Sequence, residues 1–582
     1  MSTDVATTKG GRHRRGVDDP AVTRSVVRGQ TTWHRRWPRP SVWMLGHLLS
    51  LLVGAALIFR FDRATWFFQD EWDFFNNRVL PPLSGGLLLV PHNEHWTAVP
   101  ALAYRLVFDV VGLRTYVPYL AIDVLAHLVV CHLLWRLMRR AGAAAPLATA
   151  ATAVFAVLGA GSGNLTVAFQ VTFVGALMFG LGALLVADRP GTRLVRSDVA
   201  VCVLEILAVM CSGVGVAMVL AVAMSVLLRR GWRAAVVLAA VPGVVYVAWY
   251  ASYGRQGYGG DHVTLATVLG LPAYAWQGLT TALGDASGIP ASGTVLLLVL
   301  VAYGVRQAPR FATAVAPALA TATGALGFYL ITGLGRLQLG VDQSTASRYT
   351  YIAVALLLPL GVLALSDLCS ARPSRLLTVV GVGALVWVSS VSEFRTEAGS
   401  VASAAQLSKA QVLAAAQILR SGQRTFGDTP EPAYAPPLSS VVLSTFARRQ
   451  DLPVAFPPSM PARLGAELAL LVGDTTTPAG DSRSLTMPGP SDTPGSCVRL
   501  AGPGSFPLTF SAPSSVRIVA AEALSVPDSL SNPDATVTSA LPDHLALPAG
   551  TSYLDGNLVG RTLFLALGAS QVIQICPVAP GA

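Results

Sequence analysis

From about residue 42 to 391 the chain is a series of apolar stretches close to membrane length. A backbone this apolar has one suitable solvent, a lipid bilayer crossed by α-helices. Composition agrees, since 53% of the 582 residues are hydrophobic, 12% are charged and the mean hydropathy is +0.55. Candidate spans fall at about 42–60, 118–138, 145–161, 171–187, 199–211, 214–229, 235–250, 291–305, 311–332, 349–366 and 376–391, which makes about eleven. The run at 42–60 has no small-residue cleavage site before Phe61-Asp-Arg63, so it reads as a retained span and not a secretory signal.

The arginines orient this series. Arg136, Arg139 and Arg140, then Arg189, Arg193 and Arg196, then Arg229, Arg230 and Arg233, then Arg306 and Arg310, then Arg372 and Arg375 fall in alternate loops, which the positive-inside rule assigns to the cytoplasm. The N-terminus is then expected inside and the C-terminus outside. This parity splits 199–229 at Ser212-Gly-Val-Gly215 and leaves 263–283, an interrupted apolar stretch, on the external side. The formal charge of +10 is almost wholly arginine, with lysine only at positions 9 and 409, and it is dispersed over interhelical loops; this favours membrane topology over nucleic-acid binding. Residues 1–40, with eight arginines from Arg12 to Arg39 and no apolar period, read as a disordered basic cytoplasmic tail.

On this topology 62–117 is the first external loop, far longer than a helix connection requires, and loops of that size usually carry function. It opens with Gln69-Asp-Glu-Trp-Asp-Phe-Phe75. If 70–77 is one helical segment, Asp70 and Asp73 share a face at i, i+3 while Glu71 projects elsewhere. Farther on, Val99, Leu102, Ala103, Leu106, Val107 and Val110 recur at helical spacing, which predicts an amphipathic helix on the membrane surface. Between them lies Pro91-His-Asn-Glu-His-Trp96. His92 and His95, at i, i+3, can share a divalent metal with Glu94; hydrogen bonding to substrate or within the loop is the alternative.

An acidic pair just after span one, followed by surface helices, resembles the first external loop of the membrane-embedded GT-C glycosyltransferases. The resemblance covers roughly 42–391. It implies a sugar donor carried on a polyprenyl phosphate and a loop carboxylate acting as general base on an acceptor hydroxyl. Asp70 matches the family position, Glu71 completes the pair, and the added Asp73 leaves the base open among the three. Ser347-Arg-Tyr349 resembles a basic, phosphate-facing element late in such chains, so Arg348 and Tyr349, with Arg336 in the same external loop, are the candidates for the donor phosphate. The implied acceptor is a cell-envelope glycan, lipid or protein, and no nucleic-acid partner is implied.

The bland readings are solvated surface for the acidic cluster and headgroup anchors for the arginines. Asp123, His127 and His132 in span two read as buried structural pairing, and the tyrosines of Tyr250-Ala-Ser-Tyr-Gly-Arg-Gln-Gly-Tyr258 as interfacial anchors. Two other functions compete. A transporter or flippase of lipid-linked glycans calls for charged residues lining the spans, where only Asp123 and Glu205 occur; a polymerase or ligase of such glycans uses external arginines without needing the acidic loop.

After about residue 391 the composition turns to Pro, Ser, Thr and Asp, and 393–582 holds 11 basic against 14 acidic residues. This predicts a separate external domain at 392–582. A helical stretch from Ser400 to Arg420 precedes short alternating runs such as Ser515–Ala520 and Thr562–Ala566, the pattern of a β-rich or mixed α/β fold such as a sandwich. Cys497 and Cys576 are the only cysteines on that side, where an oxidising exterior allows a disulfide. No dinucleotide, P-loop, nucleophile-elbow or zinc-finger spacing occurs.

Overall fold

A computed structural model describes residues 41–67, 69–257, 263–307, 309, 313–370, 374–427, 438–453, 459–488, 496–532, 534 and 536–579. The basic tail, Tyr258, Arg310 and Arg372 lie outside them. Among the described residues the α-helices, in chain order, are α1 (Val42–Asp62), α2 (Asp70–Phe74), α3 (Gly85–Leu89), α4 (Ala98–Val111), α5 (Val117–Arg140), α6 (Ala145–Phe155), α7 (Val171–Ala187), α8 (Arg196–Val209), α9 (Val214–Arg230), α10 (Trp232–Ser252), α11 (Leu265–Ser287), α12 (Gly293–Arg306), α13 (Ala316–Arg336), α14 (Ser347–Ser370), α15 (Ser374–Ser421), α16 (Ser440–Arg448) and α17 (Met460–Leu471). Seven of these regions, at α1, α5, α7, α10, α13, α14 and α15, are long and apolar enough to cross a membrane.

The break expected inside 199–229 falls at 210–213. There α8 turns back into α9, and the turn is so close that a Cβ on Gly215 would sit 2.4 Å from the Ala208 backbone. The far ends of this hairpin meet in ion pairs: Asp198 accepts from Arg230 at 2.8 and 2.9 Å and from Arg189 at 2.6 Å, while Arg229 faces Asp188 at 3.2 Å. The arginines that oriented the sequence are therefore partly structural, closing a helical hairpin as bidentate donors.

One expectation needs correction. The stretch at 263–283, read as interrupted, is from Leu265 onward part of a continuous helix, α11, which carries Pro272 in its interior and runs antiparallel to α13; Gly270 lies against Leu337, Gly278 against the Tyr329 ring, and Gly333 against Leu271 and Tyr274. Sequence pattern missed it because glycine and proline read as breaks, whereas here the glycines admit large side chains from the neighbouring helix. The expected amphipathic helix forms as α4: Ala98, Ala101, Tyr104 and Phe108 face inward, and Leu102, Leu106 and Val110 are exposed, the arrangement expected of a helix whose aliphatic stripe meets the membrane surface. Its aromatic residues go to the protein core, and the aliphatic stripe is left on the surface.

One helix, α15, runs for 48 residues through the position where a new domain was expected to start. Beyond residue 391 it packs on the loop between α1 and α5, where Gln406 Nε2 donates to the Ala64 carbonyl and the Lys409 ammonium lies 5.7 Å over the Trp66 ring. The same loop receives α16, whose Phe446 ring sits fully buried among Trp72, Phe75 and Phe108.

The C-terminal region is β-rich. Its strands are β1 (Val472–Thr475), β2 (Leu485–Thr486), β3 (Val498–Ala501), β4 (Gly504–Phe510), β5 (Ser514–Ala520), β6 (Leu524–Ser531), β7 (Thr538–Leu547), β8 (Gly550–Gly556), β9 (Arg561–Leu567) and β10 (Val572–Pro577). They form two five-stranded antiparallel sheets of order β1-β8-β5-β10-β3 and β2-β4-β9-β6-β7. Strands β3 to β10 alone give β8-β5-β10-β3 over β4-β9-β6-β7, the double Greek key of a jelly roll. The sheets pack face to face, with the Phe510 ring of one against Gly556 of the other and alternate residues such as Val516, Ile518, Leu563 and Leu565 buried between them. Cys497, just before β3, is disulfide-bonded to Cys576 in β10.

Candidate functional site

The loop between α1 and α5 folds around aromatic rings. Trp66, Phe67, Trp72, Phe74 and Phe75 are buried in edge-on contacts with one another and with Tyr104, Tyr116 and Tyr119. This packing fixes α2 and sorts its three carboxylates. Glu71 points into the core, only 1% exposed, where Tyr104 Oη donates to its Oε1 at 2.9 Å and Tyr116 Oη at 3.1 Å. Burial, reinforced by the Glu71 charge, pushes both phenols well above their usual range, so they remain hydrogen-bond donors to that carboxylate. Glu71 is thus a bonded core group. Asp70 is exposed, and Asp73 is partly exposed beside it.

Asp73 is the carboxylate that the fold connects to the His92–His95 turn. It accepts from Asn77 Nδ2 and lies 3.1 Å from His92 Nδ1. The His92 ring is buried edge-on between Phe74 and Phe169. With Nδ1–H turned to Asp73, the other ring nitrogen of His92, Nε2, is a buried acceptor that meets no hydrogen-bond partner among the described residues.

His92 and His95 exchange backbone hydrogen bonds of 2.9 Å and close the turn through Asn93 and Glu94, with Asn93 at φ 50°. On its other side the turn reaches α13. Glu94 Oε1 is 2.5 Å from the Arg336 guanidinium and 3.7 Å from His95 Nε2, while His95 Nδ1 accepts from the Gly213 N–H at 3.4 Å. Burial works against the Glu94 charge, but His95 and Arg336 outweigh it and hold the carboxyl below the usual range. Burial pushes His95 down to about 4; Glu94 pulls it upward, whereas Arg336, His92 and Arg348 all oppose a positive charge there. Glu94 and His95 retain 30% and 22% side-chain exposure, so the cluster borders open space.

Arg348 opens α14 and is half-buried, its guanidinium 5.0 Å over the ring of Tyr349. Tyr349 is itself buried against Phe173 and Phe328. The structure therefore brings together Asp73, His92, Glu94, His95 and Arg336, and Arg348 and Tyr349 at the start of α14 border this cluster through the Phe173 ring, which meets both His95 and Tyr349.

His92, Glu94 and His95 do not converge on one point, since His92 turns to Asp73 and Glu94 to Arg336. Among the described residues no group of three or more His, Cys, Asp and Glu is placed to hold a metal ion. Sequence reasoning missed the tyrosine partners of Glu71, because partners 33 and 45 residues away leave no local signal. It also missed Asn164, which donates to the Arg348 carbonyl at 2.7 Å. The Gly159-Ala-Gly-Ser-Gly-Asn164 run that carries it was the available clue.

No protein-family model, no curated protein and no solved structure matches this chain.

Proposed function

We propose that the chain is a membrane glycosyltransferase of the GT-C type, moving a sugar from a polyprenyl phosphate to a cell-envelope acceptor. The observation that carries this reading is the linkage of a partly exposed loop carboxylate, Asp73, to Arg336 through the His92–His95 turn and its Glu94–Arg336 ion pair, with Arg348 beside them over Tyr349, whose ring meets Phe173 next to His95. In this reading the chain has about eleven spans, its N-terminus is cytoplasmic, and the site and the jelly roll lie outside.

Asp73 takes the proton of the acceptor hydroxyl as its oxygen bonds to the anomeric carbon. The bond from that carbon to the phosphate oxygen breaks, and the electron pair leaves with the polyprenyl phosphate. Arg336 and Arg348 stabilise the charge gained there, as guanidinium donors do for phosphate oxygens. The His92 imidazole orients Asp73. Asp70, on the same α2 face, is the second candidate for the base.

The test is release of free polyprenyl phosphate by the purified chain in nanodiscs, supplied with polyprenyl-phosphate-linked hexoses and pentoses and a cell-envelope acceptor extract. Acceptor-dependent release that disappears in Asp73→Asn supports the reading. Movement of a lipid-linked glycan across the bilayer with no bond broken would replace it with a flippase. Growth of a glycan chain on the lipid, dependent on Arg348 but indifferent to both Asp70→Asn and Asp73→Asn, would replace it with a polymerase.

A further inference from the structure

Between α6 and α7 the chain reads Gly159-Ala-Gly-Ser-Gly-Asn164, and this segment grips the first turn of α14. The Gly163 N–H donates to Ser347 Oγ at 3.0 Å, Ser347 Oγ donates to the Ala160 carbonyl at 3.0 Å, and Asn164 Nδ2 donates to the Arg348 carbonyl at 2.7 Å. A carbonyl only accepts, so the amide nitrogen of Asn164 must be the atom facing it. Asn164 is fully buried.

On its other side the segment is tied to α15, where the Gly159 N–H donates to Ser390 Oγ at 2.8 Å and Ser390 Oγ donates to the Val157 carbonyl at 3.0 Å. The approach is close enough to require glycine. A Cβ on Gly161 would lie 2.9 Å from Tyr351 Cβ and 3.1 Å from its Cα. The start of α14 is therefore held by a wedge rooted in a third helix.

The wedge holds the first turn through the Ser347 hydroxyl and the Arg348 carbonyl, and so fixes where the backbone of that turn lies. Arg348 sits in that turn. Its guanidinium is carried by the backbone of that turn and lies over the face of Tyr349. We propose that Asn164 and Ser347 are positioning residues, fixing the first turn of α14 so that the Arg348 guanidinium meets the phosphate oxygens of a lipid-borne phosphate. This rests on the reading of Arg348 given above. It adds that affinity for phosphate depends on residues that never touch it, because a displacement of about 1 Å is enough to spoil an oriented charged contact.

The test compares farnesyl phosphate with farnesol, two probes that differ only in the phosphate, bound to the full chain in nanodiscs. Wild-type protein is expected to prefer farnesyl phosphate, and Arg348→Ala to lose that preference. Asn164→Leu and Ser347→Ala should each weaken farnesyl phosphate about tenfold and leave farnesol within about twofold, and Asn164→Leu should change nothing further in the Arg348→Ala background. Ser347→Ala removes a single hydroxyl, so it carries the same comparison if Asn164→Leu does not fold. Equal weakening of both probes would make the wedge a purely structural support and overturn the proposal. An undiminished phosphate preference in both variants would overturn it too, leaving Arg348 as a phosphate ligand that needs no wedge. If wild-type protein does not distinguish the probes, Arg348 binds no phosphate and both readings fall together.

Discussion

Three carboxylates within four residues of one another meet three different fates, and the packing around α2 explains each. Glu71 is drawn inward because Tyr104 and Tyr116 present hydroxyls to it inside an aromatic core, Asp70 is left in the open, and Asp73 is caught by His92. Asp73→Asn is accordingly expected to lower turnover by roughly 10²–10⁴-fold, the range for loss of a general base, with donor affinity retained. Parallel kinetics on Asp70→Asn decide between them: a larger loss there would move the base one turn earlier. His95 gives a second expectation. Its folded value of about 4 lies below its unfolded value of 6.5, so between those pH values the unfolded chain binds a proton that the folded chain refuses. Its contribution to stability is therefore lost as pH falls from about 6.5 towards 4. His95→Gln should flatten that part of the profile, read as melting temperature against pH in detergent; an unchanged slope would mean that His95 does not titrate there. The acidic cluster and the His-rich turn were legible in the sequence, because polar residues crowded among aromatics in a long loop stand out. Which carboxylate faced outward was not, since the deciding hydroxyls come from residues far along the chain.

At the scale of elements, the first loop is held by helices that arrive much later. Phe446 of α16 fills the space between Trp72, Phe75 and Phe108, and the Leu113 N–H donates to the Asp451 carbonyl at 2.8 Å just beyond that helix. Phe446→Ala should cost about 3–5 kcal/mol of stability, the range for emptying a buried aromatic site. It should also raise amide exchange in 66–75, where both terms can be read by hydrogen-exchange mass spectrometry. Protection unchanged in 66–75 would show that the loop holds its shape without α16. The helical hairpin of α8 and α9 was readable because Arg-rich ends and a Gly-containing centre have one physical meaning in a membrane, a return to the same side. Helix α11 was not, because its Gly and Pro residues carry the same local signal whether they end a helix or admit a neighbour's ring.

For the whole molecule, the topology proposed from the alternating arginines has the C-terminus exported. A reporter fused after Ala582 should therefore be active only as an exported fusion, and Cys497 and Cys576 should resist alkylation until a reductant is added. A reporter active in the cytoplasm, with both thiols freely alkylated, would reverse the orientation of the molecule. What the sequence determined by itself is the solvent of each part: long apolar runs can satisfy their backbone only as helices in lipid, and the alternating, Pro- and Ser-rich end can bury only one face of each strand. These are properties of neighbouring residues along the chain. What only the tertiary structure decided is the strand order of the jelly roll, the continuity of α15 through the expected boundary, and the meeting of the first loop with Arg336. Each depends on groups separated by tens to hundreds of residues, and contacts at that separation are fixed by packing and hydrogen-bond satisfaction in three dimensions, which no local pattern encodes.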